Sequence, residues 1–281
     1  FGDIKTMSNS ILRRMSWLSC ARPLLLHQHK GVDHQSLGLG PAFCHSVQGI
    51  SKSAPGSTFT DSNGNASTDF ENPAHVGTIG VGYNDNTRED YDITAYLDDN
   101  DQFGGHLGLT KDGKILAVAA QNDDGFGNGV DNGGAVHLFT FDDSDFTNAT
   151  YAASIGNNYT GGKNYDTSGI SGWRAAQVAI DGDGNRLAIG HHNEEDVRIF
   201  GFQDTSLNGA SLQFTIGIGQ TGSNSVNAAS HGVEDGDGFP NVIALDDTGT
   251  LMAVGSTSDD GLSNGGSNDG AVSVSYTHLT L

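Results

Sequence analysis

The chain of 281 residues contains 41 glycines and sets 34 acidic against 13 basic side chains, a formal net charge of -21. That length can bury a sizeable core, and no run approaches the roughly 18 consecutive apolar residues of a membrane-spanning helix. Glycine this frequent, without a three-residue period, excludes collagen and argues against a helical bundle, and so acidic a surface repels nucleic-acid phosphates.

In chain order, residues 1–52 carry Lys5, Arg13, Arg14, Arg22, Lys30 and Lys52 against Asp3 and Asp33, a balance of +4 that leaves -25 for the remainder. Cys20 and Cys44 lie here, too few for a disulfide framework. The chain opens on Phe1 and reads as a fragment. The stretch is expected to be an unfolded or non-native leader; a weak signal-peptide core over Leu18–Leu26 is the alternative, interrupted by Arg22-Pro23. Residues 53–75 are Ser, Thr, Asn, Asp and Gly almost throughout and read as a polar linker.

From residue 76 a repeat takes over. Its core is an apolar run, an Asp/Gly turn and a second apolar run. This occurs as Phe103–Leu109, Lys111-Asp112-Gly113-Lys114 and Ile115–Ala119. It returns as Val178-Ala179-Ile180, Asp181–Asn185 and Arg186–Gly190, and again as Val242–Leu245, Asp246–Gly249 and Leu251–Gly255. Asp, Asn and Gly tolerate the positive φ of tight hairpin turns, so each unit predicts a β-hairpin. An Asp/Asn/Gly-rich loop follows, long at Asn122–Gly134 and Ser256–Gly270 and short at His191–Asp196. A third strand comes next: Ala135–Phe141, Val197–Phe202 and Ala271–Ser273. A fourth element, Thr/Ser-Ile-Gly, recurs at Ile79, Ile155 and Ile216, spaced by 76 and then 61 residues.

Four short strands per unit without helical periodicity predict an all-β fold of propeller blades, each of four antiparallel strands, with about three repeats visible and the propeller incomplete. A single four-stranded sheet cannot cover both its faces, so the units must stack. A β-sandwich repeat array gives the same short strands and is the alternative. The folded region is expected over residues 76–273. Residues 274–281, Val-Ser-Tyr-Thr-His-Leu-Thr-Leu, break the pattern and resemble a translated sequencing adapter, an artefactual tail.

Phe103-Gly104, the following Leu-x-x-Asp-Gly-x-x-Leu-Ala-Val and Gly134-Ala135-Val136-x-x-Phe139 resemble the FG-GAP repeat of integrin-type β-propellers. Gly134–Phe141, Ser154-Ile155-Gly156 and Tyr159–Asp166 are similar to tandem repeats of large bacterial surface and secreted adhesin-like proteins. The later units depart from the pattern, with Gly172-Trp173 and Gly238-Phe239 in place of Phe-Gly. The resemblance implies a seven-bladed fold, an extracellular or cell-surface location, a protein or glycan ligand, further repeats of the same chain as packing partners, and Ca²⁺ as the cation held by acidic loops.

Hard oxygen ligands suit Ca²⁺. Asp181, Asp183 and Asn185 have alternate spacing, although Arg186 stands where a glycine belongs and the same residues read equally as a hairpin turn. The long loops offer Asp123, Asp124 and Asp131, and Asp259 and Asp260. His191-His192 beside Glu194, Glu195 and Asp196 reads as a plain loop, because adjacent strand residues point to opposite faces. No nucleophile elbow, phosphate loop or zinc helix occurs. The expected function is therefore a non-enzymatic adhesion or scaffolding module. The alternatives are a propeller-scaffold hydrolase or lyase acting on extracellular polysaccharide, and a purely structural repeat of a giant surface protein.

Overall fold

The computed structural model describes residues 46–52, 59–60, 66–67, 73–84, 89–191, 193–261, 266 and 268–276. The signal-like run, both cysteines, most of the linker and the last residues of the tail lie outside them. The fold is all-β: among the described residues there are eighteen strands and one short 3₁₀ turn, Ala228–His231, in chain order.

Sheet I opens with β1 (Ser46–Lys52). A two-stranded ribbon, β2 (Phe59–Thr60) and β3 (Ala66–Ser67), leads to β4 (Pro73–Gly80) and β5 (Tyr91–Asp92), and the sheet order is β1-β4-β5. Sheet II is a meander of β6 (Phe103–Leu109), β7 (Ile115–Ala120), β8 (Ala135–Thr140) and β9 (Thr150–Gly156), with β10 (Tyr165–Asp166) parallel to β9. Sheet III repeats it with β11 (Gln177–Ile180), β12 (Arg186–His191), β13 (Asp196–Gly201), β14 (Ser211–Gly217) and β15 (Ser225–Asn227). Sheet IV holds β16 (Val242–Leu245), β17 (Leu251–Ser256) and β18 (Ala271–Tyr276). Two complete blades thus stand between two partial ones.

Register makes the repeat literal. Val136 pairs with Ile155, Val197 with Ile216 and Val47 with Ile79, so β1 occupies the third-strand position of its sheet. The leader boundary at residue 52 therefore falls beyond a paired strand, and the ribbon and the start of β4 lie within the stretch read as linker. Likewise β18 continues through Val274, Ser275 and Tyr276, because Val274 pairs with Ala253 and keeps the alternation begun by Val272. Residues 274–276, at the start of the stretch read as a tail, continue this strand.

The hairpin turns share one construction. Gly113, Gly184 and Gly249 adopt positive φ and donate their N–H to the carbonyls of Thr110, Asp181 and Asp246. A side-chain oxygen of each of those three residues accepts the N–H that opens the next strand, at Ile115, Arg186 and Leu251. This is why Thr or Asp begins every turn.

Each sheet buries its apolar residues against the next. Ile79 and Ile93 pack with Leu116, Val118 and Phe139 between sheets I and II. Ala117, Val136 and Leu138 meet Leu187, Ile189 and Phe200 between sheets II and III. Ala188, Val197 and Ile199 meet Ile243, Met252 and Val254 between sheets III and IV. The second strands alternate as Leu116-Ala117-Val118, Leu187-Ala188-Ile189 and Met252-Ala253-Val254. Large residues face back along the chain and alanine faces forward, which lets neighbouring sheets approach closely. Gly134 sits at such an approach: its φ is +70°, and a Cβ there would lie 2.5 Å from the Ala175 carbonyl oxygen.

Phe200 is wholly buried in the central interface. Phe200→Ala should cost about 3–5 kcal/mol of unfolding free energy, whereas Leu109→Ala, at a 42% exposed position, should change it by less than about 0.5 kcal/mol. Chemical denaturation of the two variants checks the contrast.

Candidate active site

After β5 the chain crosses the rim between sheets I and II through Leu97, Asp98, Asp99, Asn100 and Asp101 before entering β6. Asn100 and Gln102, on either side of Asp101, take φ of 77° and 56°. Left-handed backbone at a non-glycine residue is costly and persists where surrounding structure imposes it. Here the imposed turn points the Asp101 carboxyl inward, 4% exposed, beneath exposed Asp98. The Asp98 N–H donates to Asp101 Oδ2 at 2.8 Å, and the Asn122 N–H donates to the Asp101 carbonyl at 3.0 Å. Asp98 in turn accepts from the Asn128 side-chain amide of the long loop.

Burial pushes the Asp101 carboxyl up to about 7, with the Asp98 N–H opposing the shift and the charge of Asp123 and the Asp98 carboxyl adding to it. A raised buried carboxyl beside an exposed one is the arrangement by which proteins separate an acid from a base.

A buried polar chain runs below. Asp123 Oδ1 accepts the Gly125 N–H, and its Oδ2 accepts the Tyr159 hydroxyl at 2.9 Å and lies 3.2 Å from His137 Nε2. His137 Nδ1 lies 2.6 Å from Ser154 Oγ, which is 2.7 Å from the Tyr151 hydroxyl. This is an Asp-His-Ser series, but His137 and Ser154 are completely buried, so the serine cannot meet a substrate. The series fixes Asp123 under the carboxyl pair. Burial raises both tyrosine hydroxyls above their ordinary values and keeps them protonated donors. Phe126, 57% exposed, leans edge-on over Tyr159 with ring centroids 5.8 Å apart.

Sheet III holds a different group at the same level. Arg198, opposite Ile189 as His137 is opposite Val118, donates through Nη2 and Nε to Asp196 Oδ2. His191 Nδ1 is 2.9 Å from Asp196 Oδ1. Burial holds that imidazole below its usual value despite the carboxylate. His192 lies outside the described residues.

The acidic residues read as calcium ligands are dispersed. Asp181 Oδ1 accepts the N–H groups of Asn185 and Arg186, while Asp183 and Asn185 are exposed along an open groove with Lys111 and Asp112. In the first long loop, Asp124 Oδ1 accepts the Asn132 N–H, and the Asp131 carboxylate accepts the Asn132 amide. The second long loop repeats this: Asp259 Oδ1 accepts the Gly261 N–H and Asp260 Oδ1 the Asn268 N–H. Among the described residues no group of three or more His, Cys, Asp or Glu converges on one point. Five of these carboxylates, those of Asp123, Asp124, Asp181, Asp259 and Asp260, accept backbone N–H groups of their own loops.

Asp98 and Asp101 carried no signal in the sequence beyond one more acidic turn. The other element missed there is a clamp after every Ile-Gly. Asp92 accepts the N–H groups of Gly82 and Thr94, Asp166 those of Asn158 and Ser168, and Asn227 those of Gly219 and Ala229. The recurring Tyr-Asp at 91–92 and 165–166 could have revealed it.

No family model matches the chain, and no curated protein matches it. Among solved structures it is similar to a periplasmic gluconolactonase of Pseudomonas aeruginosa, at 12% identity and TM-score 0.34, over 56% of this chain and 37% of that one. A candidate 6-phosphogluconolactonase of Bacteroides fragilis NCTC 9343 matches at 12% identity and TM-score 0.35, over 56% and 35%. Regucalcin, a calcium-binding protein of Agrobacterium tumefaciens str. C58, matches at 11% identity and TM-score 0.29, over 53% and 36%. The chain spans about a third of the length of these structures. The fold is propeller-like. The expectation of a non-enzymatic adhesion or scaffolding module, and that the chain is no enzyme, is corrected to this extent: structures named as lactonases stand among the similar ones, a likeness that shows the fold alone.

Two outcomes follow from the site. The folded Asp101 carboxyl keeps its proton up to about pH 7, against an ordinary value of 3.8, so the unfolded chain releases it first as pH rises. Its contribution to stability is full below the ordinary value and is lost through neutrality. Asp101→Asn should therefore raise the melting temperature relative to the native chain more at pH 8 than at pH 5; an offset independent of pH contradicts this. In the acidic loops, saturating Ca²⁺ and a chelator should give the same melting temperature, read by calorimetry.

Proposed function

We propose that this chain is the blade stack of an extracellular propeller-scaffold hydrolase acting on polysaccharide, with Asp98 and Asp101 as its acid–base pair. The observation that carries this reading is the placement of a buried, proton-holding carboxyl directly beneath an exposed one, in a turn held by left-handed Asn100 and Gln102. Asp98 faces the glycosidic oxygen and delivers the proton that Asp101 holds. As the C–O bond breaks, water adds to the anomeric carbon and releases its proton to solvent, and Asp101 is reprotonated from solvent through Asp98. Asn128 orients Asp98, and exposed Phe126 offers an apolar face to a sugar ring. The net charge of -21 favours a neutral glycan over a uronate polymer, which the acidic surface repels. Kinship with FG-GAP repeats belongs to the same proposal and is supported by the shared register of the three hairpins.

The test is reducing-end release from a panel of neutral and uronic polysaccharides. Neutral substrates should be cleaved, with activity falling as pH rises through about 7, where Asp101 loses its proton. Asp98→Asn and Asp101→Asn should each slow cleavage on the order of 100-fold or more. A folded chain that cleaves nothing in the panel, or variants that cleave at the native rate, would refute the assignment.

A further inference from the structure

The second strand of each of sheets II to IV ends on one register pair. Ala120 pairs with Ala135 in sheet II and Ser256 with Ala271 in sheet IV, but in sheet III the pair is His191 with Asp196. An imidazole and a carboxylate stand where the neighbouring sheets use small residues, and both are buried. His191 Nδ1 lies 2.9 Å from Asp196 Oδ1, while its Nε2 meets no hydrogen-bond partner among the described residues. Asp196 is already engaged, since its Oδ2 accepts from Nε and Nη2 of Arg198. Segment 167–176, which crosses from β10 to β11, covers the ring: the Trp173 indole stands edge-on to it, with centroids 4.6 Å apart. Three hydrogen bonds hold that segment. Trp173 Nε1 donates to the Gly134 carbonyl, Arg198 Nη2 to the Ser171 carbonyl, and the Ala176 N–H to the Gly190 carbonyl.

The charged groups around the ring are Asp196 and Arg198 on β13 and Glu194 on the connecting loop. The Glu194 side chain lies against Gly172 of the crossing segment, and Arg174 of that segment is directed to Asn193. A proton on the ring creates a second cation for a carboxylate that already serves Arg198, and an Nε2–H without an acceptor. Burying such a charge is costly unless it is fully paired and hydrogen-bonded.

We infer that His191 is an acid trigger for the rim between sheets II and III: a proton taken up by its ring releases segment 167–176, with Trp173, while the apolar levels below stay packed. Burial holds the ring below its ordinary value of 6.5, so the closed form requires neutral imidazole. Its stability is complete above that value and is lost as pH falls below it. The segment is the part that moves because single hydrogen bonds hold it, whereas Leu187, Ile189 and Phe200 sit in strand ladders. The device is independent of Asp98 and Asp101.

Trp17 and Trp173 are the two tryptophans of the chain, so Trp17→Phe leaves Trp173 as the reporter. Between pH 8 and pH 5 its emission should shift reversibly to the red, with a midpoint below the ordinary histidine value, while the far-ultraviolet signal of the strands is unchanged. His191→Ala, which installs the sheet II residue, and His191→Gln should both hold the pH 8 emission down to pH 5. In the native chain, hydrogen exchange corrected for the intrinsic effect of pH should show the Ala176 amide opening on the order of tenfold more often at pH 5, with residues 187–189 still protected. An emission that does not move, a shift that persists in both His191 variants, or one that coincides with loss of the far-ultraviolet signal or of protection at 187–189 would overturn the inference.

Discussion

A four-stranded sheet that is apolar on both sides cannot stand alone in water, and everything else in this molecule depends on that constraint. Each sheet must be covered twice, once by the sheet before it and once by the sheet after. Fully burying one leucine, isoleucine or phenylalanine is worth about 1.5–3 kcal/mol, and each interface buries several at once. The alternation of Leu187, Ala188 and Ile189 along a single strand is therefore an instruction to two neighbours. It also sets the tolerance of the turns and loops, which must return the chain without pushing the sheets apart.

The same constraint decides where polar chemistry can enter. Positions opposite Val118 and Ile189 are equivalent in register, yet one carries His137 and the other Arg198. Both side chains are buried, and each has an aspartate beside it, Asp123 or Asp196. The level nearest the rim can thus exchange one hydrogen-bonded group for another while the apolar levels below stay fixed. Where sheet I meets sheet II, that level supports the carboxyl pair. Fold and site are separable for this reason: strands fix the floor, and the crossing segment 97–102 supplies the reactive groups.

Much of this architecture was legible in the sequence. The three Asp/Gly turns, the strand pairs around them and the Thr/Ser-Ile-Gly elements stand in the structure as the spacing predicts. β1 escaped notice because its run, Ser-Val-Gln-Gly-Ile-Ser-Lys, lies beside the basic segment and has no hairpin of its own before it. The strands β5, β10 and β15, of two or three residues each, are too short to carry a period. The acidic loops are ambiguous in sequence for a different reason. An aspartate that accepts backbone N–H groups within its own loop and one that holds a metal look alike in sequence, and only the direction of the carboxylate separates them. Asp101 was invisible for the converse reason: its chemistry comes from burial beneath Asp98, which no local pattern announces.

The hairpin turns at the opposite end also cross between sheets. The Lys111 N–H donates to the Gly182 carbonyl, the Lys111 ammonium lies 3.0 Å from Asp247, and the Arg186 guanidinium donates to the carbonyls of Thr248 and Gly249. Three consecutive sheets are stitched together at their bases by one backbone hydrogen bond and by the side chains of Lys111 and Arg186. The stack is hinged like the pages of a bound book, with its spine at the turns and its free margins at the rim. Loops at those margins can lengthen, as at Asn122–Gly134, or shorten, as at His191–Asp196, without loosening the binding. A lineage can therefore rewrite the rim of each page independently while every page keeps its place.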